Sequence, residues 1–555
     1  MKKWIKQNIR LAFYSTWLLV SFVQLLFTQV QDDEAYYWVY AKFLDWGYFD
    51  HPPMTALIIK IGGLLFSGVV GLRIVPLILT TLTIFFTEKI IEPANQKLFY
   101  AICLSVAVLQ ITGFWAVPDV PLIFFTALFF LCYKNFLQQA SLKNIFLLGL
   151  TTACLMYSKY QGALVILFTL FSNVRVFKKW QTYAAGVIAL VLFMPHLWWQ
   201  YTHNWVSIRF QLFERNDNRW QLSYTTDYII GQLLIAGPFA GVLFWWAAIK
   251  YKITTILDRA LKVTAIGFFI FFLVSSARGR VETNWTAPCL IPLIILSYRF
   301  IESRIGLIKW LYRLCVATLV ITTAFRFVMF FNIIHVEGIQ DRFHDWDGWQ
   351  YTIQKKTNNY PYMVFSNSYQ RASKYWFYTG QMTYSLNQYN DRRNNYNIWP
   401  VEDSMLGKPA YFMDIYNPSS FQDSVKGSWF TVGFSYDSAF HSFAKVKLKP
   451  AQTKYNVKET DILLISTTIE ASNYYKEYLA QHTDVDEPIV LSVFEGENLL
   501  KDINLPITLQ ELIKEKQHQF VVHPPLGKGK YRLQFSIGAY RGFTHNSDKF
   551  NLLIE

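Results

Sequence analysis

The sequence predicts a multi-span α-helical membrane domain of about 11 transmembrane helices, followed outside the membrane by an α/β region and a β-sandwich. Three observations lead there. Of 555 residues, 53% are hydrophobic and only 16% charged, where a soluble domain carries about 25%. Apolar runs close to the ~20 residues needed to cross a bilayer follow one another as far as residue 333. Beyond that point the long runs stop, and short alternating segments take over.

The first apolar run, residues 11–30, follows the basic residues Lys2, Lys3, Lys6 and Arg10. A signal peptide has the same head and core, but no small-residue cleavage site follows and further spans do, so an uncleaved first helix is expected. Further spans are read at 72–92, 98–115, 120–138, 144–157, 161–174, 181–199, 228–249, 261–275, 287–299 and 307–333. Residues 53–66 are apolar but interrupted by Lys60 and a Gly pair, which suits a helix lying in the interface. With the N-terminus in the cytoplasm, the inner turns hold Lys89, Lys97, Lys134, Lys143, Arg175, Lys178, Lys179, Lys250, Lys252, Arg259, Lys262, Arg299, Arg304, Lys309 and Arg313. That is the positive-inside pattern. It accounts for the net charge of +14 without a nucleic-acid partner.

The expected domains are 1–335 in the membrane, 336–440 as a mixed α/β domain and 441–555 as a β-sandwich, the last two extracytoplasmic. In 361–381 a strand runs into a helix opened by Ser366 or Asn367. From about 440 short strands alternate with Pro, Gly and Asn. The five cysteines all lie in apolar runs with no metal-ligand spacing, so disulfides are not expected.

The outer turns hold the unusual residues. The first, QDDEAYYWVYAKFLDWGYFDHPPM, carries Asp32, Asp33, Glu34, Asp50 and His51; then come Asp119 in AVPDVP and Lys159 in MYSKYQG. PHLWWQYTHNWVSIRFQLFERNDNRW carries His196, His203, Arg209, Arg215 and Arg219, and SSARGRVETNWTAP carries Arg278, Arg280, Glu282, Asn284 and Trp285. A solvated turn would explain any one of them. Five turns on one face carrying acids, cations and aromatics point to a site. Charges beside the apolar slab cost about 2.5–3.5 kcal/mol at its centre and so belong in a cavity or at the interface. Such a set suits transfer of a sugar from a polyprenyl phosphate, because nucleotide sugars are absent outside the cytoplasm. Cations or a divalent ion beside the departing phosphate lower the barrier, a carboxylate can take the acceptor proton, and Trp and Tyr offer flat faces to sugar rings.

The motifs DEAYYW…LDWGYFDHPPM, VPDVP, YSKYQG, PHLWWQYTHNW and GRVETNWTAP together resemble the GT-C glycosyltransferases, in particular the bacterial branch akin to protein O-mannosyltransferases and lipid A aminoarabinose transferases. The resemblance covers roughly residues 10–335. It implies a GT-C fold, a polyprenyl-phosphate-sugar donor, and a lipid, glycan or protein acceptor, with inversion at the anomeric carbon, in a bacterial cytoplasmic membrane. It also implies the roles. Asp33 is the catalytic carboxylate with Glu34 beside it. Asp50, His51, Asp119, Lys159, Tyr36, Arg215, Arg278 and Arg280 are contacts to the donor phosphate or substrate. Relatives carry a basic residue after the acid of GYFDHPP, where this chain has His51. Asp50 and His51 would then hold a divalent ion, or His51 would be a hydrogen-bond partner only. His196 and His203 read as interfacial loop residues. The rival readings are a transporter or lipid flippase, which needs charges along a path through the slab, and a scaffold displaying the outer domain.

Overall fold

The computed structural model describes residues 8–214, 220–388, 392–496, 498–523 and 527–555. It divides into two compact units, Met1–His344 and Asp345–Glu555.

The first unit is helical. In chain order it contains α1 (Ile9–Phe27), α2 (Asp32–Lys42), α3 (Met54–Leu65), α4 (Gly68–Ile91), α5 (Gln96–Ser105), α6 (Ala107–Ile111), α7 (Asp119–Gln138), α8 (Leu142–Ser158), α9 (Gly162–Ser172), α10 (Trp180–Thr202), α11 (Leu222–Ala236), α12 (Gly241–Lys250), α13 (Ile256–Ser276), α14 (Leu290–Ile301) and α15 (Ile305–Phe330). Six helices among the described residues are long and apolar enough to cross a membrane: α1, α4, α7, α10, Thr283–Ile301 ending in α14, and α15. Large apolar side chains on their outer faces, such as Leu19 on α1 and Val320 on α15, are more than 60% exposed. A lipid surroundings accounts for that where water does not. This is a multi-pass membrane protein.

Several expected spans are modified. The stretch 98–115 is not one span: it breaks between α5 and α6 at Val106, whose backbone is not helical. The stretch 228–249 is α11 and α12, bent by 90°. Gly237, with φ +154°, makes that bend, and a Cβ there would meet the carbonyl oxygen of Ser105 at 2.6 Å. Pro238 follows and cannot donate to the preceding turn. The apolar helices α3, α8 and α9 have 10–17 residues, shorter than a full crossing. The five cysteines are free, and all but Cys154 are buried.

The second unit starts with a mixed five-stranded sheet in the order β2-β1-β3-β5-β4. Its strands are β1 (Tyr362–Ser366), β2 (Met382–Leu386), β3 (Ala410–Asp414), β4 (Asp423–Lys426) and β5 (Thr431–Asp437). β1 pairs in parallel with β2 and β3, and α16 (Tyr369–Thr379) supplies the crossover that parallel β1 and β2 require. Then follow β6 (Lys447–Pro450), β7 (Lys454–Val457), β8 (Leu463–Glu470), α17 (Asn473–Gln481), β9 (Ile489–Glu495), β10 (Asn498–Asn504), β11 (Gln517–Val522), β12 (Gly529–Ala539), β13 (Gly542–Phe543) and β14 (Phe550–Ile554). They form a sheet β10-β9-β12-β14-β7 with β13 on β12, and a sheet β11-β8-β6. β8 alternates buried and exposed along its whole length. Its inward Leu463, Ile465 and Ile469 share one core with Leu491, Val493, Phe535 and Leu552 of the other sheet, which makes the pair a sandwich.

Candidate functional site

The acidic first turn begins with an anchor. Gln31 and Glu34 form a capping box that starts α2. Glu34 is fully buried and accepts from Arg73 Nε at 2.8 Å, from Arg73 Nη2, from the Ala116 amide at 2.9 Å and from the Gln31 amide at 3.0 Å. Arg73 is equally buried, and its remaining donors go to the carbonyls of Leu25 at 3.1 Å, Thr28 at 2.7 Å and Gln29 at 2.9 Å. These are carbonyls that the end of α1 leaves without a helical partner. Glu34, expected beside Asp33 in a catalytic role, is therefore enclosed, with both oxygens engaged. It positions α2 on α1, α4 and the turn before Asp119. Asp33, the residue before it in the first turn of α2, is exposed.

The loop between α2 and α3 is shaped by tyrosines. The Tyr48 hydroxyl donates toward the Tyr40 carbonyl at 3.0 Å and accepts from the Asp45 amide at 3.1 Å, and its ring stacks on Tyr40 at 3.9 Å. Asp50 is buried and receives the Tyr40 hydroxyl. Tyr36, 1% exposed, packs edge-on to Tyr40 at 4.8 Å. His51, half-buried, lies edge-on to Tyr37 at 5.6 Å. The segment after α10 closes over this loop: Ser207 Oγ donates to the Tyr48 carbonyl at 2.6 Å and Gln211 Nε2 to the Asp50 carbonyl at 2.9 Å.

A second cluster joins three more turns. Asp119, at the start of α7, accepts from Lys159 Nζ at 2.8 Å through one oxygen and from Asn284 Nδ2 at 2.8 Å through the other. Lys159 is 4% exposed. Next to it, the Tyr160 hydroxyl is within electrostatic range of Asp50 and accepts from Gln200 Nε2 at 2.9 Å, and Gln200 also donates to Ser207 at 2.6 Å. His196 is buried within α10, with Nδ1 2.7 Å from the Trp46 carbonyl and Nε2 3.3 Å from Tyr160.

Hydrogen bonds thus tie all five outer turns to one another: Tyr36, Asp50 and His51 pack on α2 and its loop, and Asp119 pairs with Lys159 in the adjoining turns, which join α2 through the Ala116 amide. Arg278 and Arg280 are not drawn in. Arg278 is exposed, and Arg280, with a side chain 72% exposed, lies 3.5 Å from Glu282. Arg215 lies outside the described residues. Sequence reasoning passed over Arg73, Tyr40, Gln200 and Ser207. Arg73 had a signal, being a cation near the start of an otherwise apolar 24-residue helix. The other three had none.

A family model described as dolichyl-phosphate-mannose-protein mannosyltransferase matches residues 50–199, the stretch holding Asp50, His51, Asp119 and Lys159. The fold is similar to that of ArnT from Cupriavidus metallidurans bound to undecaprenyl phosphate, with a TM-score of 0.57 over 77% of this chain and 98% of that one, at 13% identity. The chain shares the fold of that structure. Lipid A galacturonosyltransferase RgtD of Rhizobium johnstonii is 23% identical over 284 residues, 48% of this chain; the match spans 59% of that relative's length.

Two further features of the helical unit bear on ligands. Leu44, Asp45, Trp46, Pro53, Met54, Leu57 and Tyr157 line a mostly apolar cavity of about 380 Å³ beside the first turn. No group of three or more His, Cys, Asp or Glu that could hold a metal ion occurs among the described residues. A protein-caged ion of the zinc type therefore does not fit. Asp50 and His51 offer two ligands, enough only for a hard ion that takes its other oxygens from substrate and water.

Proposed function

We propose that this chain is an inverting glycosyltransferase of the bacterial cytoplasmic membrane that moves a sugar from a polyprenyl-phosphate donor to a lipid acceptor on the extracytoplasmic side. The observation that carries the reading is the convergence of the five acid-, cation- and aromatic-bearing turns on one end of a GT-C membrane unit. The names of its relatives support the substrate classes, since RgtD acts on lipid A and the ArnT structure holds undecaprenyl phosphate. The N-terminus is cytoplasmic and the second unit extracytoplasmic, in line with the lysines and arginines of the inner turns.

The acceptor oxygen attacks the anomeric carbon as the bond from that carbon to the phosphate oxygen breaks, and polyprenyl phosphate leaves with the electron pair. Asp33 takes the proton of an acceptor hydroxyl, or only positions the acceptor where that is an already ionised phosphate. Lys159 donates one N–H of its ammonium group to Asp119 and turns the others to the phosphate. The apolar cavity at Leu44, Trp46, Met54 and Leu57 receives the first isoprene units. Tyr36 and His51 contact the sugar phosphate, and Arg215, Arg278 and Arg280 contact the acceptor.

A divalent ion held by Asp50 and His51 would neutralise charge on the donor phosphate.

The test is transfer in proteoliposomes from a polyprenyl-phosphate sugar, with mass spectrometry of the lipid products. Asp33→Asn is expected to abolish transfer while the thermal midpoint stays put; full activity would refute its role. Leu57→Asp is expected to raise the KM for the donor. Exhaustive chelation at pH 8 is expected to raise it too, and an unchanged KM would exclude the ion. The charges of α4 favour this reading over a transporter, because they sit at its two ends: Arg73 is bound to Glu34, and Glu88 accepts from Tyr14 at 2.8 Å. Vesicle uptake without sugar transfer would reverse that preference.

A further inference from the structure

The second unit carries a feature unconnected with the chemistry proposed above. An open groove of about 530 Å³ runs between β6, the end of β8 and the start of α17, and four of its nine lining residues are Lys445, Lys447, Lys476 and Lys516. Glu470 is its single acid, and Lys449 already holds that acid at 2.7 Å. Lys445 is paired with Asp403 at 2.7 Å. Among the described residues, no carboxylate comes within ion-pair distance of Lys447, Lys476 or Lys516. With both pairs cancelled, the groove keeps three uncompensated positive charges.

Lysines at random on a surface spread apart, whereas these are held together. β6 pairs with β8 so that Lys447 faces Glu470, and the Lys516 carbonyl accepts from the Ile469 amide at 3.0 Å. Lys447 and Lys516 are thereby held beside each other and beside Lys476 along one groove, where an incoming anion would meet all three. Ser472, the N-cap of α17, closes the same groove and adds the positive end of that helix.

We infer that this groove binds a phosphoryl group carrying at least two negative charges, borne by a saccharide or by a lipid headgroup. Three lysine ammonium groups and a helix start, open to solvent on one side, suit a compact, strongly charged tetrahedral oxyanion. They do not suit a neutral sugar, which would need aromatic faces that the lining lacks.

The experiment is calorimetric titration of the full-length chain in neutral detergent with inorganic pyrophosphate. One saturable site is expected, with affinity falling as salt rises. Lys447→Gln and Lys516→Gln should each weaken it roughly tenfold, the worth of one charge-assisted hydrogen bond. Lys514→Gln, an exposed lysine outside the groove, should leave it unchanged. Repeating the titration in nanodiscs separates the sources. Equal binding in phosphatidylcholine discs with and without phosphatidic acid supports a phosphorylated saccharide, and competition by phosphatidic acid supports a lipid headgroup. Absence of saturable binding, or equal affinity in wild type and Lys447→Gln, overturns the inference. Neither outcome depends on sugar transfer, so it stands or falls apart from the proposed enzyme activity.

Discussion

Replacing Glu34 by Gln isolates what the buried anchor contributes. In wild type each carboxylate oxygen accepts one Arg73 bond and one backbone amide. In Glu34→Gln one oxygen becomes an NH2 group facing two donors, and the Arg73 guanidinium, 0% exposed, keeps a charge with no counter-charge. Removing one partner of a buried pair costs about 3–5 kcal/mol, which should lower the thermal midpoint by roughly 5–15 °C. The buried free cysteines provide the assay, because a thiol-reactive dye labels Cys103, Cys289 and Cys315 only as the unit opens. Arg73→Met removes the orphaned charge but also strips donors from the carbonyls of Leu25, Thr28 and Gln29. The double variant should therefore cost less than the sum of the single ones. A Glu34→Gln protein that melts with wild type, or strictly additive single variants, would refute the reasoning.

Lys159→Met should raise the KM for donor and leave Asp119 without its cation, so that Asp119→Asn in the same chain restores part of the loss in a proteoliposome transfer assay. Gly47→Ala should destabilise the first turn by about 1–3 kcal/mol, because the new Cβ would lie 2.3 Å from the Trp199 ring; dye melting reads this. In the second unit burial raises the Glu402 carboxyl from 4.5 to about 7, the nearby Lys445 opposing in part. A carboxyl raised on folding stabilises below pH 4.5 and loses that contribution as pH climbs through 7, here about 3 kcal/mol. Hydrogen exchange of strands around residues 431–446 should accordingly quicken from pH 5 to pH 8, after correction for intrinsic rates, and Glu402→Gln should flatten the dependence.

The membrane class and the change of character near residue 340 were legible because both depend on composition and period, which a sequence displays directly. The bend at Gly237 and Pro238 was written in the chain but read as continuous, since the apolar run does not pause there. The break at Val106 has no local mark. No Gly or Pro stands at it; instead the Gln110 side chain donates to the Leu104 carbonyl, and Arg326, far along the chain, binds the Gln110 carbonyl at 2.7 Å. The order of the site motifs was readable, but the division of labour between Asp33 and Glu34 was not. Adjacent helical residues point about 100° apart. Which of the two is buried was decided by Arg73, 39 positions away.

That division has a physical logic. A helix ending inside an apolar medium leaves carbonyls that water cannot satisfy. Arg73 is the one side-chain type with five donors in a fixed fork, and three of its bonds go to such carbonyls at the end of α1. Its charge then needs a carboxylate, and Glu34 supplies it from the first turn of α2. A hydrophobic pair would pack as well and avoid the desolvation cost, but it would leave the carbonyls bare and let α2 rotate about its axis. The ion pair fixes that rotation. Asp33, one residue earlier, is thereby turned outward, the orientation that the role proposed for it, meeting a substrate hydroxyl within about 3 Å, would require.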